Sequence, residues 1–565
     1  MLNNIQKLFF FLLLVVPRVN AEGPPVSAVA TANPLATKVG EQILIQGGNA
    51  FDAAVAITAA LAVVEPAGSG LGGGGFWLLH RESDGKEVMI DGREKAPEFA
   101  FRRMYLDEND ELREKASLDG PLAGGIPGTP AAMVYIAKNY GRLPLQILLA
   151  PAISLAENGH KISPSLHQQI SRKMSLLSRY PSSAKVFLDQ TEASLIPPVG
   201  YVLYQKDLAK TLYSIAMSGA AGFYQGEMAR KLVQGVQQHG GIWSLRDLEQ
   251  YVVLERRPIE FTYNNIKVVS ASLPSSGGIV LEQSLRILEH FDLASMDTVS
   301  KAHHIIEALR RAYRDRAAFL GDLDFVDVPI DRLLDKDYLE GLAIMIDPLT
   351  ATDNQELGDV PGIKQGGTST THFSVIDTDG NRVAASLSIN RFMGSGFVIP
   401  GTGVLLNNEM DDFVTNSEIA GPTDEPGFRA NAIEPGKRPL SSMSPTFVES
   451  SERVGILGTP GGTRIISMVL LGILDFADGR LPESWVDKPR FHHQHKPDVV
   501  FFEENAFNEK EKQGLLTKGH ELRKSRRHYG NMQAIMWDKR TNYVYAASDK
   551  RGEGSTSSIV IHEKN

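Results

Sequence analysis

Residues 366–390 read GGTSTTHFSVIDTDGNRVAASLSIN. A glycine pair leads into Thr368, Ser369, Thr370 and Thr371. THFSVID then alternates, a turn follows at Thr378-Asp379-Gly380-Asn381, and RVAASLSIN alternates again. Alternation on both sides of a short polar turn predicts a β-hairpin. The hydroxyls at its mouth have two readings: a polar loop before β-branched strand residues, or a cluster that includes a nucleophile. Just upstream, residues 350–369 (ATDNQELGDVPGIKQGGTST) are polar and aperiodic. That composition predicts a long exposed loop or linker, the kind of segment that is cut or mobile.

Working outward, the chain after Thr370 reads mainly as strands, with helical patterning between VGILGTPGG and the closing NYVYAASDK…SSIVIHE. Before it, GEQILIQGGNAFDAAVAITAALAVVEP predicts a helix, a turn at Gly47-Gly48 and an Ala-rich helix to Val64, started by Asn49 or Asp52. A glycine loop then leads into a strand at Phe76–His80, and EVMIDGREKAP gives another strand. Residues 120–320 are mostly helical in pattern, and IKVVSASLPSSGGIVLEQSLRILEHF reads strand, turn, helix. Strands in two clusters, with helices before and between, predict sheets sandwiched by helical layers.

Composition bounds the function. The chain has 565 residues, 42% hydrophobic and 22% charged. That is ordinary globular usage, with length for two to four domains of about 150 residues or one large unit. Net charge is -9 and no basic stripe stands out, which argues against nucleic acid. Arg310, Arg311, Arg314 and Arg316 recur as on a helix face and are expected to be solvated or paired. The start, MLNNIQKLFFFLLLVVPRVNAEGPP, has Lys7, an apolar run Leu8–Val16 and then Val19-Asn20-Ala21. This pattern predicts a secretory signal over residues 1–21, cleaved after Ala21. A retained interfacial anchor is the other reading; a stable span is not expected, because a bilayer needs about 20 apolar residues. Loss of Lys7 and Arg18 would take the charge from -9 to -11. The chain has no cysteine. It therefore has no disulfide, Cys nucleophile, Cys–Zn site or Fe–S cluster, and the expected location is a bacterial periplasm or the medium outside.

Several motifs tempt a functional reading. Gly70-Leu71-Gly72-Gly73-Gly74-Gly75 satisfies G-x-G-x-x-G, but a helix precedes it and Phe76-Trp77-Leu78-Leu79 follows, the reverse of a dinucleotide loop. Close backbone passage is the better reading. Phe491-His492-His493-Gln494-His495 suggests a metal, yet Asp487 and Asp498 stand at no known ligand spacing, so structural histidines are expected. The stretch Gly458-Thr459-Pro460-Gly461-Gly462-Thr463-Arg464 lies between a strand and a helix. Its consecutive N–H groups could form an oxyanion hole, or the stretch could be a plain turn. Lys437–Thr446 (KRPLSSMSPT) is rigid and hydroxyl-rich, and Asn407–Asp412 puts acids and amides just after a strand. Each alone reads equally well as a loop.

Taken together, GGNAFDAAVA, EPAGSGLGGGGF, DGREKAP, TTHFSV, LLNNEMDDF, KRPLSSMSPT, GTPGGTRI, PRFHHQ and AASD resemble the γ-glutamyltransferase (γ-glutamyl transpeptidase) family, in order, from about residue 47 to 549. The resemblance implies an α+β fold: a four-layer αββα sandwich of the N-terminal-nucleophile hydrolase type. It also implies one precursor cut into two subunits that remain a heterodimer. The family's cut falls before the threonine of T-x-H, here Thr370. The large subunit would be 22–369 and the small one 370–565. Thr370 would attack the carbonyl of Ser369, and an N-to-O shift and hydrolysis would free its α-amine. An α-amine has a pKa of about 7.7–8.0 and can serve as base for its own hydroxyl, whose rotamers β-branching restricts. Thr371, the rival, should face the other way on a strand.

By matched position, Arg93 would grip the α-carboxylate of the γ-glutamyl group, as a guanidinium can do bidentately. Ser441 and Ser442 would add hydrogen bonds. Asp412 would hold the α-ammonium with help from Glu409 and Asn390, and Gly461 and Gly462 would stabilise the oxyanion. Ser388 stands where the family commonly has a threonine supporting the nucleophile, and Ala67 replaces a histidine. Segment 413–438 is long enough to include a lid loop, with Thr423, and Phe428 nearby, where some members carry a gating tyrosine. The implied substrates are glutathione and related amides, with water or an amino-acid or dipeptide amine as acceptor, and no cofactor or metal. A cephalosporin (glutaryl) acylase-like amidase on the same fold is the alternative. Glutaryl lacks the ammonium, which leaves Asp412 little purpose. A non-enzymatic binding protein is a third reading, opposed by a competent residue at every matched catalytic position.

Overall fold

Along Gly74–Arg81 successive side chains enter two different cores. Phe76 and Leu78 point into one, shared with a second sheet. Trp77 and Leu79 point into the other, beneath helices. Such a strand lies in the middle of a layered protein, because period-two alternation sends alternate residues to opposite faces. The computed structural model describes residues 23–188, 196–358, 360, 369–415 and 429–560. The expected signal 1–21, linker residues 361–368, and Thr423 and Phe428 of the lid segment lie outside the described residues.

In chain order the strands of the two large sheets are β1 (Ser27–Thr31), β2 (Gly74–Arg81), β3 (Lys86–Gly92), β4 (Leu254–Arg256), β5 (Ile259–Tyr263), β6 (Ile266–Ser270), β7 (Thr370–Ile376), β8 (Arg382–Ser388), β9 (Thr446–Glu449), β10 (Arg453–Gly458), β11 (Gln533–Asp538), β12 (Tyr543–Ser548) and β13 (Ser555–Ile559). The first sheet runs β13-β1-β7-β8-β2-β3-β4 and the second β12-β11-β10-β9-β6-β5. Neighbours are antiparallel in both. Between the sheets, Ala28, Ile376 and Ala384 meet Val268, Phe447, Ile456 and Ala534. Helices α1 (Pro34–Ile45) and α2 (Ala50–Val64) cover the outer face of the first sheet. Helices α3 (Gly277–Leu288) and α5 (Arg464–Ala477) cover the second, with α4 (Thr298–Phe319) packed on α3. The order of layers is αββα, as the resemblance implies.

Helix α2 shows why this sequence forms this layer. All its residues are buried, which Ala-rich composition permits because a thin helix can be enclosed on every side. Its start is a capping box. Asn49 Oδ1 accepts from the N–H groups of Phe51 and Asp52 at 3.0 and 2.9 Å, and Asp52 accepts from the Asn49 N–H at 3.0 Å. Caps of this kind are worth ~1 kcal/mol. The hairpin β7–β8 pairs from Ser388 opposite Thr370 to Arg382 opposite Ile376, with Asp377 accepting from the Asn381 and Asp379 N–H groups in the turn.

In helix α4 the arginines expected to be solvated or paired divide: Arg310, Arg311 and Arg314 are paired. Arg310, Arg311 and Arg316 are buried rather than solvated. Arg310 and Arg311 pair with Glu307 at 3.0 and 2.6 Å. Arg316 meets no carboxylate among the described residues. Most of α4 is buried, so the Arg310, Arg311 and Arg316 guanidiniums meet protein rather than water.

Candidate active site

Thr370 opens β7 and lies opposite Ser388, the last residue of β8. β1 stops at Thr31, opposite Phe373, so the first three residues of β7 overhang it. Alternation divides the hydroxyl cluster. Thr371 turns towards α2 and donates to Glu65 Oε2 at 2.6 Å. Thr370 turns to the other face, where its Oγ1 donates to Ser388 Oγ at 3.4 Å. Ser388 donates to the carbonyl oxygen of Ser369 at 3.2 Å and accepts from the Asn390 N–H at 2.7 Å. In the uncut chain the Ser369–Thr370 carbonyl is thus engaged by one hydroxyl with a second alongside. The Ser369 side chain donates to the carbonyl of Ala67, so this position contributes through its backbone. Asn390 sits at φ +68, a left-handed conformation that Asn tolerates, and its amide donates to the Asn408 carbonyl at 2.8 Å.

Arg93 follows β3 and is buried in an acid-rich cluster. It donates to Glu409 Oε1 at 2.7 Å and to Asp412 Oδ2 at 2.6 Å, with Glu94 Oε2 at 3.5 Å. Its Nε donates to the Pro439 carbonyl at 3.1 Å and its remaining edge to Leu440 O at 3.5 Å, which fixes the backbone just before Ser441. Burial opposes the Arg93 charge, but Glu409, Asp412 and Glu94 outweigh it and hold the guanidinium protonated more firmly than usual. Burial pushes the Glu409 carboxyl up, with Arg93 pulling it back only in part. Glu94 is raised well above the carboxylate range, by burial first and Glu409 second. Among the described residues, Glu94 Oε1 and Glu409 Oε2 are buried without a hydrogen-bond partner. Three acids thus surround one guanidinium, and burial pushes Glu94 and Glu409 towards their neutral forms while Asp412 stays paired with Arg93.

Ser441 and Ser442 lie on the extended segment beside Ser275. The Ser441 carbonyl accepts from the Ser276 N–H and hydroxyl at 2.9 and 2.8 Å, and Ser441 Oγ accepts from the Met443 N–H at 3.1 Å. Arg316 donates to Ser276 Oγ at 2.9 Å and to Ser442 Oγ at 3.0 Å. Burial weakens the Arg316 charge, offset partly by Tyr313 and Asp412. The sequence places Arg316 only among helix arginines expected to be solvated or paired, and marks neither Glu94 nor Glu65 as a site residue. Glu94 stood beside Arg93 in DGREKAP, where adjacency was the available signal.

Gly461 and Gly462 end the loop from β10 to α5, at φ +149 and +62. Both lie where side chains are strained, and a Cβ on Gly461 would come 2.6 Å from Met468 Cε. Neither N–H donates to a protein acceptor among the described residues. Gly461 and Thr370 line one cleft, which brings this loop to the nucleophile's surroundings.

His492 and His493 have structural partners, whereas both ring nitrogens of His495 are buried without a hydrogen-bond partner among the described residues. His492 bonds Ser467 and Gln494 at 2.9 and 3.0 Å, and burial drops it to about 3. His493 bonds Asp498 at 3.0 Å. His303, Glu307 and His520 bring ligand atoms within 4.8 Å of one another. However, His303 and His520 bond each other at 2.8 Å, and Glu307 is taken by two guanidiniums that would repel a metal ion.

Two stacked antiparallel sheets between helical layers, with a hydroxyl at the head of a central strand, define an N-terminal-nucleophile hydrolase. The family model described as Gamma-glutamyltranspeptidase matches residues 36–559. The chain belongs to the gamma-glutamyltranspeptidase family. It is 42% identical to a glutathione hydrolase proenzyme of Pseudomonas sp. (strain A14), over 85% of this chain and 84% of that one. Cephalosporin acylase from Bacillus halodurans superposes with a TM-score of 0.82 at 27% identity, covering 95% of this chain and 96% of that one. Helicobacter pylori gamma-glutamyltranspeptidase gives 0.56 at 41% identity, covering 58% and 93%.

Proposed function

We propose that this protein is exported, cuts its own chain between Ser369 and Thr370, and then transfers γ-glutamyl groups. The donors are glutathione and related amides; the acceptors are water and amino-acid or peptide amines. The observation that carries this reading is the relay Thr370 Oγ1, Ser388 Oγ, Ser369 O at the head of β7. In the precursor, Thr370 Oγ1 attacks the Ser369 carbonyl carbon while the Ser388 hydroxyl supports its oxygen. The amide nitrogen leaves as the Thr370 α-amine, and water hydrolyses the ester. The large subunit is then 22–369 and the small one 370–565. Export is supported by the leader-like residues 1–21. No described helix is long and apolar enough to cross a membrane.

In turnover the Thr370 amine takes the proton of its own hydroxyl. Oγ1 attacks the γ-carbonyl, and the Gly461 and Gly462 N–H groups receive the oxyanion. The α-ammonium enters between Asp412 and Glu409, whose Oε2 has no hydrogen-bond partner among the described residues. The α-carboxylate meets Ser441, Ser442 and Arg93. All of Arg93's edges already hold protein acceptors, so it shares Asp412 with the substrate rather than offering an empty fork. Ser442 Oγ accepts from Arg316, which leaves the Ser442 proton free for the carboxylate. Asn390 fixes the Asn408 backbone that leads to Glu409.

N-terminal sequencing of the smaller fragment tests the cut: it should begin at Thr370, and Thr370→Ala should remain one inactive chain. Glutathione hydrolysis by protein still joined at 369–370 would sink the reading. The likeness to an acylase motivates a second comparison. Glutaryl and γ-glutamyl p-nitroanilides differ in the ammonium that Asp412 and Glu409 would bind, and preference for glutaryl would reassign the substrate.

A further inference from the structure

Thr370 and Gly461 line a cleft of about 1110 Å³ that contains none of Arg93, Glu409, Asp412, Ser441 or Ser442. From the nucleophile, the γ-glutamyl end lies one way and this cleft another. Its walls are cationic. Arg464 opens α5 beside Gly461, Arg172 comes from the helix Pro164–Leu177, and Arg526 and Arg527 stand at the exposed rim. None of these four guanidiniums has a carboxylate partner among the described residues. Other cations of the wall are already paired: Arg523 with Glu521, Lys524 with Glu504, and Arg551 with Glu503. Two acids also line it. Glu65 is held by Thr371, and Glu553 by the Ser165 N–H at 2.7 Å. Arg464 lies 4.6 Å above the Tyr529 ring and 5.5 Å from that of Phe501, which positions a half-buried cation without neutralising it. Arg172 and Arg527 line the same cleft, and Arg172 is weakened by burial and by repulsion from Arg527.

We propose that this cleft receives the leaving part of the donor and the amine that replaces it, and that it selects molecules carrying carboxylates: acidic amino acids and acidic peptides. The inference rests on the γ-glutamyl-transfer reading. In the transfer step the acceptor nitrogen bonds to the γ-carbonyl carbon and the ester bond to Thr370 Oγ1 breaks. The amine's proton ends on that oxygen. Carboxylates of the acceptor lie against Arg464, Arg172 and Arg527 while its amine reaches the ester.

Glycylglutamate and glycylglutamine differ as acceptors only in a side-chain carboxylate. With γ-glutamyl p-nitroanilide as donor, the parent should favour glycylglutamate, and added salt should shrink that preference. Arg172→Ala/Arg527→Ala should reduce it about fivefold, the size of one or two partly exposed ion pairs. The charge reversal Arg526→Glu should move it the same way. A parent that turns over the anilide yet shows the same acceptor ratio in all three proteins overturns the cleft assignment and leaves the transfer reading standing. A parent that does not turn over the anilide overturns both.

Discussion

Arg316 and Arg314 are two residues apart on α4 and read alike in the sequence, yet they do different work. Arg314 is half-buried and held by Asp315 and the Leu357 carbonyl. Arg316 is buried, meets no carboxylate among the described residues and holds the hydroxyls of Ser276 and Ser442. Helical periodicity could place both on the helix but not say which neighbours they meet, because Ser442 is far away in sequence. Hydrogen bonds involving a charged group contribute ~1.5–3 kcal/mol, so Arg316→Ala should raise KM for a γ-glutamyl donor by about tenfold to a hundredfold. Autocleavage should persist, since Arg316 makes no contact with the Thr370 relay. Arg316→Lys should fall between, as an ammonium lacks the fork that spans two hydroxyls. Steady-state kinetics, with the cleaved fraction read from a denaturing gel, check this. Parallel loss of cleavage and KM would reduce Arg316 to a folding residue.

At the scale of elements, α2 and β7 meet through Glu65 and Thr371. Burial raises the Glu65 carboxyl from 4.5 to about 7, although the Thr371 hydrogen bond lowers it. Between those values the folded chain binds more protons than the unfolded one, so this group's contribution makes stability fall as pH rises from about 4.5 to 7. Its size is about 1–3 kcal/mol after allowance for partial exposure. Glu65→Gln keeps an acceptor for Thr371 and removes the titration. Thermal unfolding should therefore show the variant gaining on the parent more at pH 8 than at pH 5. Equal differences at both values would mean that Glu65 does not titrate in this window. The helix and hairpin themselves were legible because period 3.6 and period 2 are local. The segments 437–446 and 458–463 were legible only as hydroxyl- or glycine-rich stretches. Their shapes depend on distant partners: Arg93 grips the Pro439 and Leu440 carbonyls, and the Thr463 hydroxyl donates to Gln494.

At the scale of the molecule, the proposed cut severs a chain whose halves are woven through both sheets. The first sheet takes β1 to β4 from residues 22–369 and β7, β8 and β13 from 370–565. The second takes β5 and β6 from the former and β9 to β12 from the latter. β7 lies between β1 and β8, so the new terminus starts in the middle of a sheet. Local pattern could mark each strand but not this order, because β13, β1 and β7 are neighbours drawn from opposite ends of the chain. Separating the halves would break the β13–β1, β1–β7, β8–β2 and β9–β6 pairings and open both faces of the inter-sheet core. Cleavage itself breaks one peptide bond and none of those pairings. The two fragments should therefore co-elute at neutral pH without denaturant, and cut parent and uncut Thr370→Ala should melt within about 5 °C of each other, since a change of ~1 kcal/mol moves a chain of this size by only a few degrees. Size exclusion and calorimetry read both outcomes. Fragments that part in native buffer would mean that the sheets are not shared as the strand order requires.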